Sequence, residues 1–183
     1  EDYFEALLFR PTDRFSVIYP DYQELINSLN GITLDGGYEF TLFRENSTSD
    51  NVVAEITYIK KNSPASNVDL RRGDIITRIN GKTMTVSNFR EILSEIEGLH
   101  SLTFLRFDQE AQGFVSQPEV MLTAVQLAEN PNFLDTVYTI NNEKIGYVVY
   151  HFFAPGPGQD PVYDLEMDQI FGKFKAENID HLI

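Results

Sequence analysis

The stretch SPASNVDLRRGDIITRING, Ser63 to Gly81, decides the fold that we predict for this chain. Its first residues predict a short helix, and the Arg-Arg-Gly-Asp residues after it predict a tight turn. Apolar residues at positions 75, 76 and 79 then predict a short strand. The pair Asn80–Gly81 closes that strand, because both residue types tolerate the positive φ angles of a tight hairpin turn. The stretch therefore predicts a compact unit of helix, turn and strand.

Strand patterns extend on both sides of this unit, from Gly36 to about Gln126. The alternation of Tyr38, Phe40 and Leu42 with their neighbours predicts one strand, and a polar turn at 46–51 separates it from a strand at 52–59. Later apolar residues predict a hairpin across the polar loop 108–118: Leu102, Phe104, Val120, Leu122 and Ala124.

One helix interrupts these strands. Its apolar residues recur at the spacing i, i+3, i+4, i+7 and form first of all a core face: Phe89, Ile92, Leu93 and Ile96. Asn88 with Glu91 predicts a capping box, and Gly98 is placed to end the helix. Residues 1–30 are also predicted to be helical, with one helix that stops at Pro11 and another that ends at Asn30–Gly31.

The last part of the chain has a different pattern. Residues 144–150 form a continuous apolar run, which predicts a strand that is buried on both faces. The loop 154–158 precedes a helix that starts at Asp160–Pro161, with this buried side: Leu165, Ile170, Phe171 and Phe174. A strand at 179–183 follows, so the order predicts parallel strands. Because such a sheet normally continues, we expect 127–183 to begin a larger domain.

Composition excludes several functions. The net charge of −14 disfavours nucleic acid and anionic membranes as partners. The chain has no cysteine and no apolar run long enough to span a bilayer. Since it begins Glu1-Asp2 rather than with Met, we expect an N-terminal segment to have been removed.

No motif for catalysis or metal binding is present in the sequence. None of the ten serines lies in Gly-x-Ser-x-Gly or Ser-x-x-Lys, so we predict no catalytic residue in this chain. The three histidines lack a metal-ligand spacing, and the acidic group Asp160, Asp164, Glu166 and Asp168 lacks the spacing of a calcium loop. We therefore expect no metal and no cofactor.

The Ser63–Gly81 stretch resembles the corresponding part of bacterial PDZ domains. The flanks agree, because Gly36-Gly37-Tyr38-Glu39-Phe40 precedes it and one amphipathic helix and two strands follow it. The resemblance extends to the C-terminal processing (tail-specific) proteases, in the form closest to exported members from the Bacteroidetes. It is carried by Phe4–Leu8 with Thr12–Ser16, by Lys144–Tyr147 with His151–Phe153, and by Ile179–Ile183.

This resemblance implies an α+β fold in three parts. Residues 1–33 are an N-terminal helical segment, 34–126 a PDZ-like, partly open β-barrel with one main helix, and 127–183 the beginning of a mixed α/β protease core. It also implies a serine peptidase with a Ser nucleophile and a Lys base, both expected beyond the end of this chain. The resemblance also implies that the protein is exported, either to the periplasm or to the cell surface as a lipoprotein. The signal segment that export requires is absent from this chain.

The resemblance further implies a peptide-binding site. PDZ domains add a peptide as a strand beside the amphipathic helix and hold its carboxylate by backbone amides. The matching amide positions are Gly37, Tyr38, Glu39 and Phe40, while Phe89 and Leu93 with Phe40 and Leu42 line the apolar pocket. Glu39 departs from the family, which carries Gly or another small residue there, and its carboxylate can repel a carboxylate ligand.

The expected partners are apolar C-terminal tails or exposed segments of other proteins. Two other functions stay open at this point. The chain is alternatively a non-catalytic PDZ adaptor, or a structural module whose groove is closed. An adaptor is expected to end in a completed fold, whereas this chain is expected to stop within a sheet, which favours the protease. Sequence alone does not define the oligomeric state.

Overall fold

The structure is a computed structural model that describes residues 2–9, 12–13, 15–19, 21–154, 156–157 and 161–183. The chain divides into two compact units. The first, Thr33–Glu129, is called the PDZ-like unit below. The second combines the residues up to Ile32 with Asn130–Ile183 and is called the flanking unit.

The PDZ-like unit is built from nine strands and one α-helix in its described residues. The strands are β1 (Ile32–Asp35), β2 (Tyr38–Arg44), β3 (Val52–Ile59), β4 (Ile75–Ile79), β5 (Lys82–Thr83), β6 (Leu99–Asp108), β7 (Gly113–Ser116), β8 (Val120–Thr123) and β9 (Val125–Ala128), and the helix, α3, is Phe89–Ser94. The main sheet has the order β2-β3-β4-β6-β7, with β5 on β4 and β8 on β6, while β1 pairs with β9. The strand β2 is therefore an edge strand of the main sheet.

The core of this unit lies under the central strands. The most deeply buried apolar side chains come from β3, β4, β6 and the segment after β5: Ile56, Ile76, Ile79, Met84, Leu102 and Phe104. In β6 they alternate with half-buried residues, as the period of two requires, whereas an irregularity between Ile76 and Arg78 sets Ile76 and Ile79 three residues apart in β4. The strands predicted at β2, β3 and β4 are confirmed, and the predicted pairing of the strand at Leu102 with the strand at Val120 is confirmed as β6 with β8. The predicted polar loop 108–118 is wrong in part, because Gly113–Ser116 forms β7 and also pairs with β6.

The Ser63–Gly81 unit forms as predicted, with one difference in its turn. The predicted short helix is a 3-10 helix at Ala65–Asn67, and Asn80 and Gly81 have φ of 51° and 71°. Within this turn Asp74 is buried rather than solvated, with 1% of its surface exposed. It accepts the Arg71 backbone N–H at 2.8 Å and two hydrogen bonds of 2.8 Å from the Arg106 guanidinium, so it fixes the turn from inside.

The helix α3 begins and ends near the predicted residues but without the predicted capping box. Asn88 makes no side-chain cap hydrogen bond to the helix. Its side chain turns back instead, where Oδ1 accepts the Thr85 N–H at 2.6 Å and Nδ2 donates to the Thr83 carbonyl at 3.3 Å. A 3-10 turn at Glu95–Glu97 continues the helix as far as Gly98.

The flanking unit contains three helices and a three-stranded sheet in its described residues. They are α1 (Asp2–Glu5), α2 (Tyr22–Leu29), β10 (Asn132–Ile140), β11 (Glu143–Tyr150), α4 (Val162–Ala176) and β12 (His181–Leu182), with sheet order β10-β11-β12. β11 and β12 are parallel, with Ile145 opposite His181, so the predicted strand–helix–strand unit is confirmed. The antiparallel strand β10 was not predicted.

Several details of this unit correct the sequence predictions. Leu165 and Phe171, predicted to be buried, are 53% and 44% exposed, because α4 turns Tyr163, Ile170 and Phe174 to the interior instead. β11 is mostly half-buried rather than buried on both faces.

The helix ends of the flanking unit agree with the sequence only in part. Gly31 ends α2 with φ of +74°, which confirms its predicted left-handed conformation. The described part of the first predicted helix is short, Asp2–Glu5. The predictions for Pro11, Arg14, Pro155, Gly158 and Asp160 lie outside the described residues.

Candidate peptide-binding groove

A groove runs between the edge strand β2 and the helix α3. One end of it is a cleft of about 420 Å³ that contains four of the predicted site residues, Tyr38, Glu39, Phe40 and Leu93. Leu34 and Ile96 add apolar surface to this cleft, while Asp35 and Glu97 add carboxylates. The sequence reasoning did not include these four residues. None of the four is adjacent in sequence to a predicted site residue, and the sequence signal among them is that of Ile96, which belongs to the same apolar helix face as Leu93.

The other end of the groove is a smaller depression of about 190 Å³. Leu42 and Phe89, both predicted site residues, lie there beside Val86. Phe40, Leu42, Phe89 and Leu93 are all partly buried and pack against the hydrophobic core of the unit. The apolar residues assigned to the pocket thus follow one line along β2 and α3, but they are divided between two depressions.

Tyr38 is a core residue that anchors the start of β2. Its side chain is 6% exposed, and its hydroxyl lies 3.0 Å from Nε2 of the buried His100. Burial, with a smaller effect of the Asp35 charge, raises the pKa of Tyr38. The neutral phenol is therefore the stable form at this position, and the residue holds the strand beside the cleft.

Gly37 permits a close approach that no other residue type allows. Its φ is +88°, and a Cβ atom at this position would lie 2.1 Å from both Cβ and Oγ of Ser63. Its carbonyl accepts the backbone N–H of Lys60 at 2.9 Å, and its own N–H donates to Asp35 Oδ1 at 2.6 Å. The loop that enters β2 is thus tied down on both sides.

A buried lysine lies under this loop among three carboxylates. Lys60 is 7% exposed, and its Nζ is 2.6 Å from Asp35 Oδ2, 3.2 Å from Glu39 Oε1 and 3.3 Å from Glu129 Oε2. Burial acts to lower the pKa of Lys60, but the hydrogen bond and charge of Asp35, with Glu129 and Glu39, outweigh it and raise that pKa. The lysine is therefore a charged structural residue.

Chemically, the groove suits an extended chain. The edge of β2 offers backbone donors and acceptors, and the cleft beside it offers apolar surface rimmed by carboxylates. No group of three or more His, Cys, Asp and Glu side chains in the described ranges is arranged to hold a metal ion. Among the helices that the structure describes, none is long and apolar enough to cross a membrane.

Comparison with known proteins supports this geometry. Residues 55–106 match the family model of the PDZ domain. The structure of an S41 protease from Bacteroides fragilis matches with a TM-score of 0.64 and 23% identity, over 91% of this chain and 48% of that one. The photosystem II D1 C-terminal processing protease matches with a TM-score of 0.50 and 14% identity, over 84% and 39%. No curated protein sequence matches the chain.

These likenesses define the class of fold. The chain is an α+β protein that carries a PDZ domain and shares its fold with the S41 protease and with the D1 C-terminal processing protease. The resemblance read from the sequence motifs is confirmed at the level of the fold. The chain spans about half the length, or less, of these two solved proteins.

Proposed function

We propose that this chain is the substrate-recognition portion of a serine-type C-terminal processing peptidase. In this proposal the PDZ-like unit binds apolar tails of other proteins by adding them as a strand to β2. The observation that carries it is the position of β2, an edge strand that lies directly beside a cleft with apolar side chains and a rim of carboxylates. The fold shared with the two proteases supports the link to proteolysis.

The proposed site consists of the backbone of β2 and the side chains along the groove. The backbone at Gly37 to Phe40 meets one end of the peptide, and alternate peptide side chains enter the depressions beside Leu93 and Phe89. Because side chains of a strand alternate in direction, every second ligand residue meets the groove. Apolar ligand residues at those positions are therefore favoured.

The proposal also includes three functional parts and a location. We propose an N-terminal helical segment at 1–33, a PDZ domain at 34–126 and the start of a protease core at 127–183; the compactness of Thr33–Glu129 supports the middle boundaries. We infer export to the periplasm or the cell surface from the resemblance to exported proteases. Recovery of the native protein only in the cytosolic fraction would contradict that location.

A binding measurement tests the proposed function. The probe is an N-terminally labelled octapeptide of alternating threonine and valine, and its binding to the full chain is followed by fluorescence anisotropy. Leu93→Ala is expected to weaken binding about tenfold, because the lost apolar contact is worth about 1.5 kcal/mol. The matched control is Phe114→Ala, whose side chain is 54% exposed on β7 at the opposite edge of the sheet.

A second peptide separates strand addition from simple apolar contact. The same octapeptide with alternate backbone nitrogens methylated keeps its side chains but loses the donors that a β-ladder needs. It is expected to bind at least about tenfold more weakly than the unmodified peptide. Equal binding of the two peptides, or an equal effect of the two alanine variants, would contradict the proposal.

A further inference from the structure

The loop that enters β2 already holds a carboxylate of its own. Asp35 accepts the N–H of Gly37 through Oδ1 at 2.6 Å and the Nζ of Lys60 through Oδ2 at 2.6 Å. A backbone amide and a cation are the two kinds of group that would bind the carboxylate of a peptide end. At this end of the groove, both of these donors are engaged by a side chain of the chain itself.

The negative charge around the cleft also disfavours a ligand carboxylate. The carboxylates of Asp35, Glu39 and Glu97 line the cleft, and Lys60 beneath them is shared by Asp35, Glu39 and Glu129. One lysine among four carboxylates leaves this end of the groove negative. A ligand carboxylate placed here would meet repulsion from these groups, and because Glu39 and Glu97 are exposed, dissolved salt screens part of it.

We propose that the groove binds its ligand without reading a free C-terminal carboxylate. The Asp35 side chain occupies the place of that group, so the ligand is a segment whose backbone continues past Gly37, or whose end there is uncharged or basic. This inference rests on the proposed peptide-binding function and specifies its ligand. A protein tail would then be held by apolar residues upstream of its terminus.

Three forms of one peptide test this inference on the full chain. The labelled threonine–valine octapeptide is compared as the free acid, as the amide, and with two added glycines that carry the carboxylate beyond the loop. The amide and the extended form are expected to bind about tenfold more tightly than the free acid. Added salt is expected to reduce this ratio, because screening weakens the repulsion.

Variants of Asp35 identify the cause of the preference. Asp35→Ala frees the Gly37 amide and one side of Lys60, so the free acid is expected to gain about tenfold in affinity relative to the amide. Asp35→Asn removes the charge and keeps an oxygen acceptor for Gly37; it is expected to give a smaller gain and serves if the alanine variant does not fold. Glu110→Ala, an exposed carboxylate at the β6–β7 turn, is the control and should leave the ratio unchanged.

The possible outcomes distinguish failure of this inference from failure of the proposed peptide-binding function. A free acid that binds the unmodified chain more tightly than the amide would overturn the inference and leave peptide binding in place. An amide preference that both Asp35 variants and the control leave unchanged would also overturn it. Failure of all three peptide forms to bind would refute the proposed function itself, and the inference with it.

Discussion

Gly37 is the residue on which the geometry of the groove depends most directly. The pair Gly36–Gly37 predicts a turn before a strand, but nothing in the sequence pattern indicates that this turn lies against Ser63, 26 residues away. The missing side chain allows that contact, because a Cβ atom would lie 2.1 Å from Ser63. The contact fixes the path of the chain between Asp35 and β2. It thereby also fixes the position of the Asp35 carboxylate, which accepts the Gly37 N–H.

Replacing Gly37 by alanine is therefore expected to be severely destabilising. The expected loss is about 3 kcal/mol in the free energy of unfolding, from an unfavourable positive φ and an overpacked contact. Urea unfolding followed by circular dichroism measures it. Gly81→Ala is the matched control, because its φ is +71° and nothing lies within 4 Å of the added Cβ. Equal losses in the two variants would show that the Ser63 contact is unimportant.

The groups near the loop also predict a stability that falls at alkaline pH. Burial, with the charges of Asp35 and Glu129 respectively, raises the pKa values of Tyr38 and Tyr58, and the partners of Lys60 raise its pKa. A raised pKa means that the folded state holds its proton where the unfolded state loses it. These contributions are thus complete below the unfolded-state values of about 10 and are lost as the pH rises through the folded-state values.

The measurement is the urea midpoint of the chain at a series of pH values from neutral to strongly alkaline. Tyr38→Phe removes one of the three groups, so its midpoint is expected to fall less steeply above about pH 10 than that of the unmodified chain. Tyr138→Phe, at a side chain that is 50% exposed in the flanking unit, should retain the original slope. A Tyr38→Phe profile parallel to the original would contradict the assignment.

At the scale of elements, periodicity and turn residues predicted most of the PDZ-like unit. Alternating apolar residues predicted β2, turn residues and short apolar stretches predicted β3 and β4, and the helical spacing of Phe89 to Ile96 predicted α3. The pattern failed where burial is uniform. β10 was missed because six successive residues, Asn132 to Val137, are half-buried and show no alternation, although the turn after it, Asn141–Asn142, has φ of 52° and 69°.

In the candidate site, the apolar residues could be predicted from sequence periodicity, whereas the contacts between distant charged residues could not. Its apolar line was predictable, because Phe40, Leu42, Phe89 and Leu93 follow strand and helix periods. The ion pairs of the site could not be predicted, because Asp35 and Lys60 are 25 residues apart in the sequence. Glu129, the other partner of Lys60, is still further away, after α3. Charged residues normally indicate solvated surface, so nothing local marks Lys60 as buried.

At the scale of the whole molecule, ligand recognition depends on one edge of one sheet. The chain contributes a PDZ domain with an open sheet edge, within a fold shared with proteases of which it spans about half the length or less. The carboxylates of Asp35, Glu39 and Glu97 lie at one end of the groove. The claim is that recognition occurs by strand addition to β2.

Backbone amide hydrogen exchange of the full chain, with and without the amidated threonine–valine octapeptide, tests this claim most directly. Strand addition predicts slower exchange within Tyr38–Arg44, because the edge amides gain hydrogen-bond partners. It predicts no change within Gly113–Ser116, the strand at the opposite edge of the same sheet. Slowing at that opposite edge, or unchanged exchange in β2 at saturating peptide, would contradict the account.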